Sequence, residues 1–217
     1  MSDKATGNKL VLVGDSGVGK TCLISRFISG QFDAESKSTN GASYASKKVE
    51  YPELGKSLVL DIWDTAGQEK YKSLTKFFYK DAVMIILVYD ITRKESFDNL
   101  KNFWYKEIKD NGEKDIVLGI AGNKSDLYDN EAVSELEARE FAKSINAIYA
   151  LTSAQNNSGV DQLFHDIGNK FLDPNFQEKV ADTKGDKQKD SKNNVKLDKK
   201  QVSQQNKEQK QKKKSPC

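Results

Sequence analysis

The octapeptide Gly14-Asp15-Ser16-Gly17-Val18-Gly19-Lys20-Thr21 fits the pattern G-x-x-x-x-G-K-[ST]. It falls between a short apolar run, residues 10–13, and a helical pattern, residues 21–29, in which Leu23, Ile24 and Phe27 share one face. A glycine-rich loop that leaves a strand and opens a helix commits the chain to a βα unit, with the loop at the carboxyl end of the strand. The glycines let successive backbone N–H groups turn around an anion, and the helix N-terminus adds its dipole. In this pattern Lys20 reaches the β- and γ-phosphates of a nucleotide, and the Thr21 hydroxyl ligates Mg²⁺.

The rest of the chain continues the alternation. Residues 43–51 and 57–64 flank Pro52-Glu53-Leu54-Gly55, a turn signal, and read as a hairpin. Residues 83–89 and 116–122 are apolar runs of the kind found in strands buried on both faces. Between them, residues 96–110 carry Phe97, Leu100, Trp104 and Ile108 at helical spacing. Residues 134–145 form a further helix, with Ser134 and Glu137 as a capping box. Residues 148–152 read as the last strand. Residues 160–172 read as the last helix, with Leu163, Phe164, Ile167 and Phe171 inward and Pro174 ending it. This gives an α/β fold: a six-stranded, mostly parallel sheet with one antiparallel edge strand and helices on both faces.

At 217 residues there is room for one domain and an appendage. The hydrophobic fraction of 36% is low for a compact domain, and the deficit lies at the C-terminal end. Residues 175–217 hold one aromatic, Phe176, and 13 lysines against 6 acids. Such a segment cannot bury enough apolar surface to offset its chain entropy. The expected organisation is a disordered N-terminus over 1–6, a folded domain over 7–174 and a disordered basic tail over 175–217. The lysine surplus points to an anionic membrane surface or nucleic acid as the tail's partner, or to a solubilising role. Two cysteines, Cys22 and Cys217, exclude a disulfide framework. Residues 1–10 are polar and residue 2 is Ser, so neither a secretory signal nor a myristoylation motif is expected. The longest apolar run, 83–89, is too short to span a bilayer.

Two further motifs fall at expected strand ends. Asp64-Thr65-Ala66-Gly67-Gln68 follows the run 58–63. A carboxylate there can hold Mg²⁺, a glycine can bring its N–H to a phosphate, and a glutamine can orient a water. Asn123-Lys124-Ser125-Asp126 follows the run 116–122. The Asp126 carboxylate can accept from both the N1 and N2 positions of guanine, for which adenine has no matching donors. Ser153-Ala154, after the last strand, can offer a backbone N–H to the guanine O6. The phosphate loop alone does not choose between ATP and GTP; this second motif selects GTP.

From about Gly7 to Leu172 the chain resembles a Ras-superfamily small GTPase, and within that superfamily the Rab family. The resemblance rests on Leu87-Val88-Tyr89-Asp90-Ile91-Thr92, on Trp63-Asp64-Thr65-Ala66-Gly67-Gln68-Glu69 and on Asn99-Leu100 with Trp104 and Glu107. Ser38-Thr39-x-Gly41-Ala42 and Tyr71-x-Ser73-Leu74 lean toward the early-endosomal Rab subgroup. The resemblance implies a P-loop GTPase (G) domain that binds GTP or GDP with Mg²⁺. Nucleotide contacts would come from Asp15, Ser16, Gly17, Val18, Gly19, Lys20, Thr21, Cys22, Phe32, Thr39, Gly67, Asn123, Lys124, Asp126, Ser153, Ala154 and Gln155. Thr21, Thr39 and Asp64 would serve the metal, and Gln68 would be catalytic. Tyr44, Trp63 and Phe78 would form the aromatic surface that effectors read. The implied role is a switch in vesicle traffic on the cytoplasmic face of an intracellular membrane, endosomal if the subgroup holds. Its partners would be effectors, an exchange factor and a GTPase-activating protein that supplies an arginine, and no nucleic acid.

The chain departs from the family pattern in places. Asn40 stands where Rabs usually carry Ile, and Gln155 replaces the Lys of the common Ser-Ala-Lys motif. Cys217 stands alone after Lys212-Lys213-Lys214-Ser215-Pro216, where two cysteines or a C-a-a-X box are usual. It is the implied prenylation site, with the lysines as the second membrane signal. The three arginines are Arg26, Arg93 and Arg139. None lies within 31–44, so no arginine finger is expected in cis. The rival readings are a Ras-type signalling GTPase, a GTP-binding module with negligible hydrolysis, and a P-loop kinase.

Overall fold

The computed structural model describes residues 7–33, 39, 42–65 and 78–177. The expected N-terminus over 1–6, Asn40, Gly67, Gln68, Lys212–214, Cys217 and the tail from 178 onward lie outside these residues.

The described elements are β1 (Asn8–Val13), α1 (Lys20–Ser29), β2 (Ala42–Tyr51), β3 (Lys56–Thr65), β4 (Met84–Asp90), α2 (residues 94–111), β5 (Val117–Asn123), α3 (Glu135–Ser144), β6 (Ile148–Thr152) and α4 (Val160–Leu172). A short 3₁₀ turn, Pro52–Leu54, joins β2 to β3, with Gly55 at φ 59° closing it. The sheet order is β2-β3-β1-β4-β5-β6. β2 runs antiparallel to β3, and every other neighbouring pair is parallel. The mixed sheet with one antiparallel edge matches the fold class expected from the sequence.

Side chains alternate across β1 and decide which layer each strand residue joins. Leu10 and Leu12 face α1 and α4, where they meet Leu23, Ile24, Phe27, Leu163, Phe164 and Ile167. Val11 and Val13 face the opposite layer, with Phe97, Leu100, Trp104 and Ile108 of α2 and Ala138 and Ala142 of α3. Phe27 of α1 and Phe164 of α4 stack at 4.0 Å between ring centroids, a pair worth about 1 kcal/mol beyond its burial. β4 is buried along its whole length, as a central parallel strand must be. Phe176, beyond the proline that ends α4, packs half-buried against the first layer, so packed chain runs past residue 174.

Two local features differ from expectation. Residues Leu100–Trp104 of α2 form a π turn between two α segments. The apolar spacing of Phe97, Leu100 and Trp104 suits either geometry, so the pattern does not reveal it. At α3, Ser134 Oγ accepts from the Glu137 N–H at 3.2 Å, but the reciprocal half of the capping box is not made. The Glu137 carboxylate instead takes Lys94 Nζ at 2.6 Å and Lys101 Nζ at 3.2 Å.

Parallel strands place their carboxyl ends on one edge of the sheet. Val13 pairs with Leu87, Asp64 with Leu12, and Asn123 with both Asp90 and Thr152. The carboxyl ends of β1, β3, β5 and β6 therefore converge.

Candidate functional site

A cavity of about 400 Å³ opens at this edge. Its walls come from Ser16, Gly17 and the four residues 19–22 on one side, Phe32, Asp33 and Thr39 on another, and Asn123, Lys124, Asp126, Ala154 and Gln155 at the far end.

At one end the glycine loop wraps the N-terminus of α1. Gly14 sits at φ 144°, and a Cβ there would lie 2.2 Å from the Val88 carbonyl oxygen. Gly19 sits at φ 97°, and a Cβ there would lie 2.3 Å from Asn123 Nδ2. Neither place admits a side chain. Lys20 is 5% exposed and donates to the carbonyls of Gly14 at 2.8 Å and Asp15 at 2.9 Å. Burial pushes its ammonium down to about 8, while Asp64 and Asp15 pull it up. A desolvated ammonium ringed by backbone dipoles is a receptor for anionic oxygen.

Beside it lie the three residues expected at a metal. Thr21 Oγ1 donates to Asp64 Oδ2 at 2.6 Å, and Thr39 Oγ1 reaches the same oxygen at 3.1 Å. The two threonine hydroxyls are 2.6 Å apart. Asp64 is 1% exposed, and its Oδ1 meets no donor among the described residues. Burial raises the Asp64 carboxyl, against the pull of Thr21, Lys20 and Thr39. A buried carboxylate with an unpartnered oxygen and two hydroxyls converging on it is a hard-oxygen set. It fits Mg²⁺, which keeps several waters and binds one or two protein oxygens beside phosphate.

At the other end the loops after β5 and β6 meet. Lys124 has left-handed backbone, φ 67°, and donates Nζ to Asp90 Oδ2 at 2.7 Å. Burial opposes ionisation of Asp90, but hydrogen bonds from Lys124 and Thr92 outweigh it and hold the carboxyl below its ordinary range. Ser153 Oγ donates to Asp126 Oδ1, which fixes the plane of that carboxylate. Asn123 is a tie between loops. Its Nδ2 donates to the Val18 carbonyl at 2.8 Å, and its Oδ1 accepts from Thr152 Oγ1 at 3.2 Å.

Several contacts at the cavity have no counterpart in the sequence motifs. Asp15 takes Trp104 Nε1 at 2.8 Å on one carboxylate oxygen and Asn99 Nδ2 at 2.7 Å on the other. Arg93 donates Nη2 to the Ser16 carbonyl at 3.0 Å and lies 3.5 Å from Asp90 Oδ2. Arg26 donates Nε to the Ala154 carbonyl at 2.7 Å and Nη2 to the Gln155 carbonyl at 2.9 Å. For both arginines the acceptors are mostly backbone atoms far along the chain, which no local motif marks.

The Ras family model matches residues 9–173. The chain belongs to the Ras family of small GTPases. Among curated proteins it is 45% identical over 164 residues to Ras-related protein Rab-22A of Homo sapiens, covering 75% of this chain and 82% of that one. It is 45% identical over 156 residues to Ras-related protein RABA1e of Arabidopsis thaliana, covering 72% of this chain and 70% of that one. It is thus a Rab GTPase, an enzyme that hydrolyses GTP and regulates membrane traffic. Ras-family GTPases in general bind guanine nucleotide and Mg²⁺, and Rabs in general work with effectors, exchange factors and activating proteins.

Of the three aromatics expected on the GTPase's effector surface, two meet. Tyr44 is 55% exposed and stands edge-on to Trp63 at 5.5 Å between centroids. Its hydroxyl donates to Asp61 Oδ1 at 2.7 Å, and Lys9 Nζ lies 5.1 Å from the Trp63 ring centroid. Phe78 is half-buried against the second core layer.

Proposed function

We propose that this cavity binds GTP and GDP with Mg²⁺, and that loss of the γ-phosphate releases effectors from the surface around Tyr44, Trp63 and Phe78. The observation that carries the reading is the convergence of Lys20, Thr21, Thr39 and Asp64 at one end of the cavity with Asp126, Ser153 and Ala154 at the other. The first group suits phosphates and a divalent cation, and the second suits a guanine edge. Bound Mg²⁺ would neutralise charge developing on the β- and γ-phosphate oxygens, held by Thr21, Thr39 and Asp64.

The protein's own residues do the rest. Backbone N–H groups of residues 15–22 and the Lys20 ammonium hold the phosphates in line. Gln68 orients the attacking water, and Gly67 donates to the γ-phosphate. Thr39 belongs to both the phosphate end and the stretch leading to Tyr44, so its grip on the nucleotide orders the effector surface. Phe32 and Gln155 cover the base. Arg93 lies by the phosphate loop, but its guanidinium is held by the Ser16 carbonyl and Asp90. The arginine that completes hydrolysis would therefore come from a partner. Unaided single-turnover hydrolysis is expected on the order of 10⁻⁴ per second, rising about 10⁵-fold with an activating protein. Gln68→Leu is expected to abolish the rise. Several turnovers per second without a partner would contradict this reading.

The Rab-22A likeness, with Ser38-Thr39-x-Gly41-Ala42 and Tyr71-x-Ser73-Leu74, supports an endosomal membrane as the site of action. Attachment would use a prenyl group on Cys217 with Lys212–214 against an anionic leaflet, each lysine contributing about 1 kcal/mol. Imaging the tagged chain beside Cys217→Ser tests this. Wild type should mark endosomes and the variant the cytosol; identical distributions would remove the anchor.

A further inference from the structure

Arg26 sits in the last turn of α1, the helix whose N-terminus is the phosphate loop, yet its side chain reaches the opposite end of the cavity. Its Nε and Nη2 grip the carbonyls of two successive residues, Ala154 and Gln155. Its Nη1 donates to the carbonyl of Gly30, the residue whose N–H caps α1 just before the chain turns to Phe32. The guanidinium carbon lies 5.9 Å from the Phe32 ring centroid. One planar cation thus ties the loop after β6 and the approach to Phe32 to the same ten-residue helix.

The opposite side of that loop is anchored as well. Ser153 N–H donates to the Ser158 carbonyl at 2.9 Å, and Ser153 Oγ donates to Asp126. Ala154 is therefore pinned from before and after, with its own side chain 4% exposed. The backbone here must present an N–H to a base atom, and a donor displaced by about 1 Å loses most of its hydrogen bond. A lysine can take two carbonyls, as Lys20 does, but its rotating ammonium fixes no spacing between them. Only an arginine fork holds two at fixed spacing.

We propose that Arg26 is a positioning residue for guanine recognition, aligning the Ala154 N–H with the base O6. The proposal rests on the guanine reading of this cavity. Its action is selective by atom: it bears on O6 and leaves the Asp126 contacts to N1 and N2 alone. An arginine that merely stabilised the fold would weaken every nucleotide alike.

The test measures dissociation constants of GDP, inosine diphosphate and 6-thioguanosine diphosphate for wild type and Arg26→Ala. Inosine lacks the N2 amine; the thio analogue replaces the O6 acceptor with a poorly accepting sulfur. Arg26→Ala should weaken GDP and inosine diphosphate each by about tenfold, the scale of one well-placed hydrogen bond, and the thio analogue by less than about threefold. Equal losses across the three, or no loss with GDP, would overturn the proposal. Where Arg26→Ala does not fold, Arg26→Lys keeps the charge without the fork and carries the same comparison: selective loss supports the proposal, and equal or absent loss overturns it. ADP serves as the control: wild type that binds ADP as tightly as GDP would overturn the guanine reading itself, and this proposal with it.

Discussion

Asp64 and Tyr51 each bury an oxygen that has no hydrogen-bond partner among the described residues, and their surroundings give the two opposite meanings. Asp64 lies beside the cavity with two hydroxyls aimed at it, so its spare oxygen is a binding capacity. Tyr51 is fully buried at the end of β2, and a Cβ on Gly168 of α4 would lie 1.8 Å from its hydroxyl. Nothing there suits a ligand, and an unpartnered buried hydroxyl costs about 1–3 kcal/mol. Tyr51→Phe is therefore expected to leave stability unchanged or raise it by about 1 kcal/mol in urea unfolding; a loss above about 1 kcal/mol would contradict this. The pH dependence carries a second signature. Burial, helped by Asp166, pushes the Tyr51 hydroxyl up to about 12. Between about pH 10, the ordinary tyrosine value, and 12 the unfolded chain loses this proton while the folded chain keeps it. Folding stability must then fall with rising pH, by up to about 1.4 kcal/mol per pH unit for this group, and Tyr51→Phe should remove that share of the slope.

The helix α2 connects packing to the nucleotide site. Its π turn, Leu100–Trp104, leads into the indole that donates to Asp15 in the phosphate loop, and Asn99, just before the turn, takes the second carboxylate oxygen. π turns are rare and gather at functional sites, where they re-aim side chains. Trp104→Phe keeps an aromatic ring in the core while deleting the indole donor along with part of the buried volume. Asp15 then loses a charge-assisted bond, and GDP release is expected to accelerate about tenfold. Unchanged release, measured with a fluorescent nucleotide, would contradict a role for this contact. The existence and order of the elements were legible in the sequence because apolar periodicity reports them directly. The 3.6-residue pattern of Phe97, Leu100, Trp104 and Ile108 gives the helix but tolerates an inserted residue, so the π turn stayed hidden. Ser134 was readable as a cap from its spacing to Glu137, whereas the departure of the Glu137 carboxylate to Lys94 and Lys101 depends on a different helix, far along the chain.

At the scale of the whole molecule, the sheet edge does the assembling. Residues from loops far apart in the chain line one cavity because parallel strands end together. Lys20, Thr21, Asp64 and Asp126 were legible because each sits in a short motif at a strand end. Arg26 and Arg93 act largely through backbone carbonyls of distant loops, which leave no trace in local sequence. The central claim is that this cavity reads guanine through Asp126 while its other end holds phosphate. Exchanging Asp126 for Asn tests it most directly. The carboxylate accepts from N1–H and N2–H; an amide offers one acceptor and one donor, which matches the N1–H and O2 of xanthine. Dissociation constants for GDP and xanthosine diphosphate should therefore cross over in Asp126→Asn, with GDP weakened about 100-fold or more and the xanthine nucleotide strengthened. Unaltered preference for GDP, or equal weakening of both nucleotides, would contradict it.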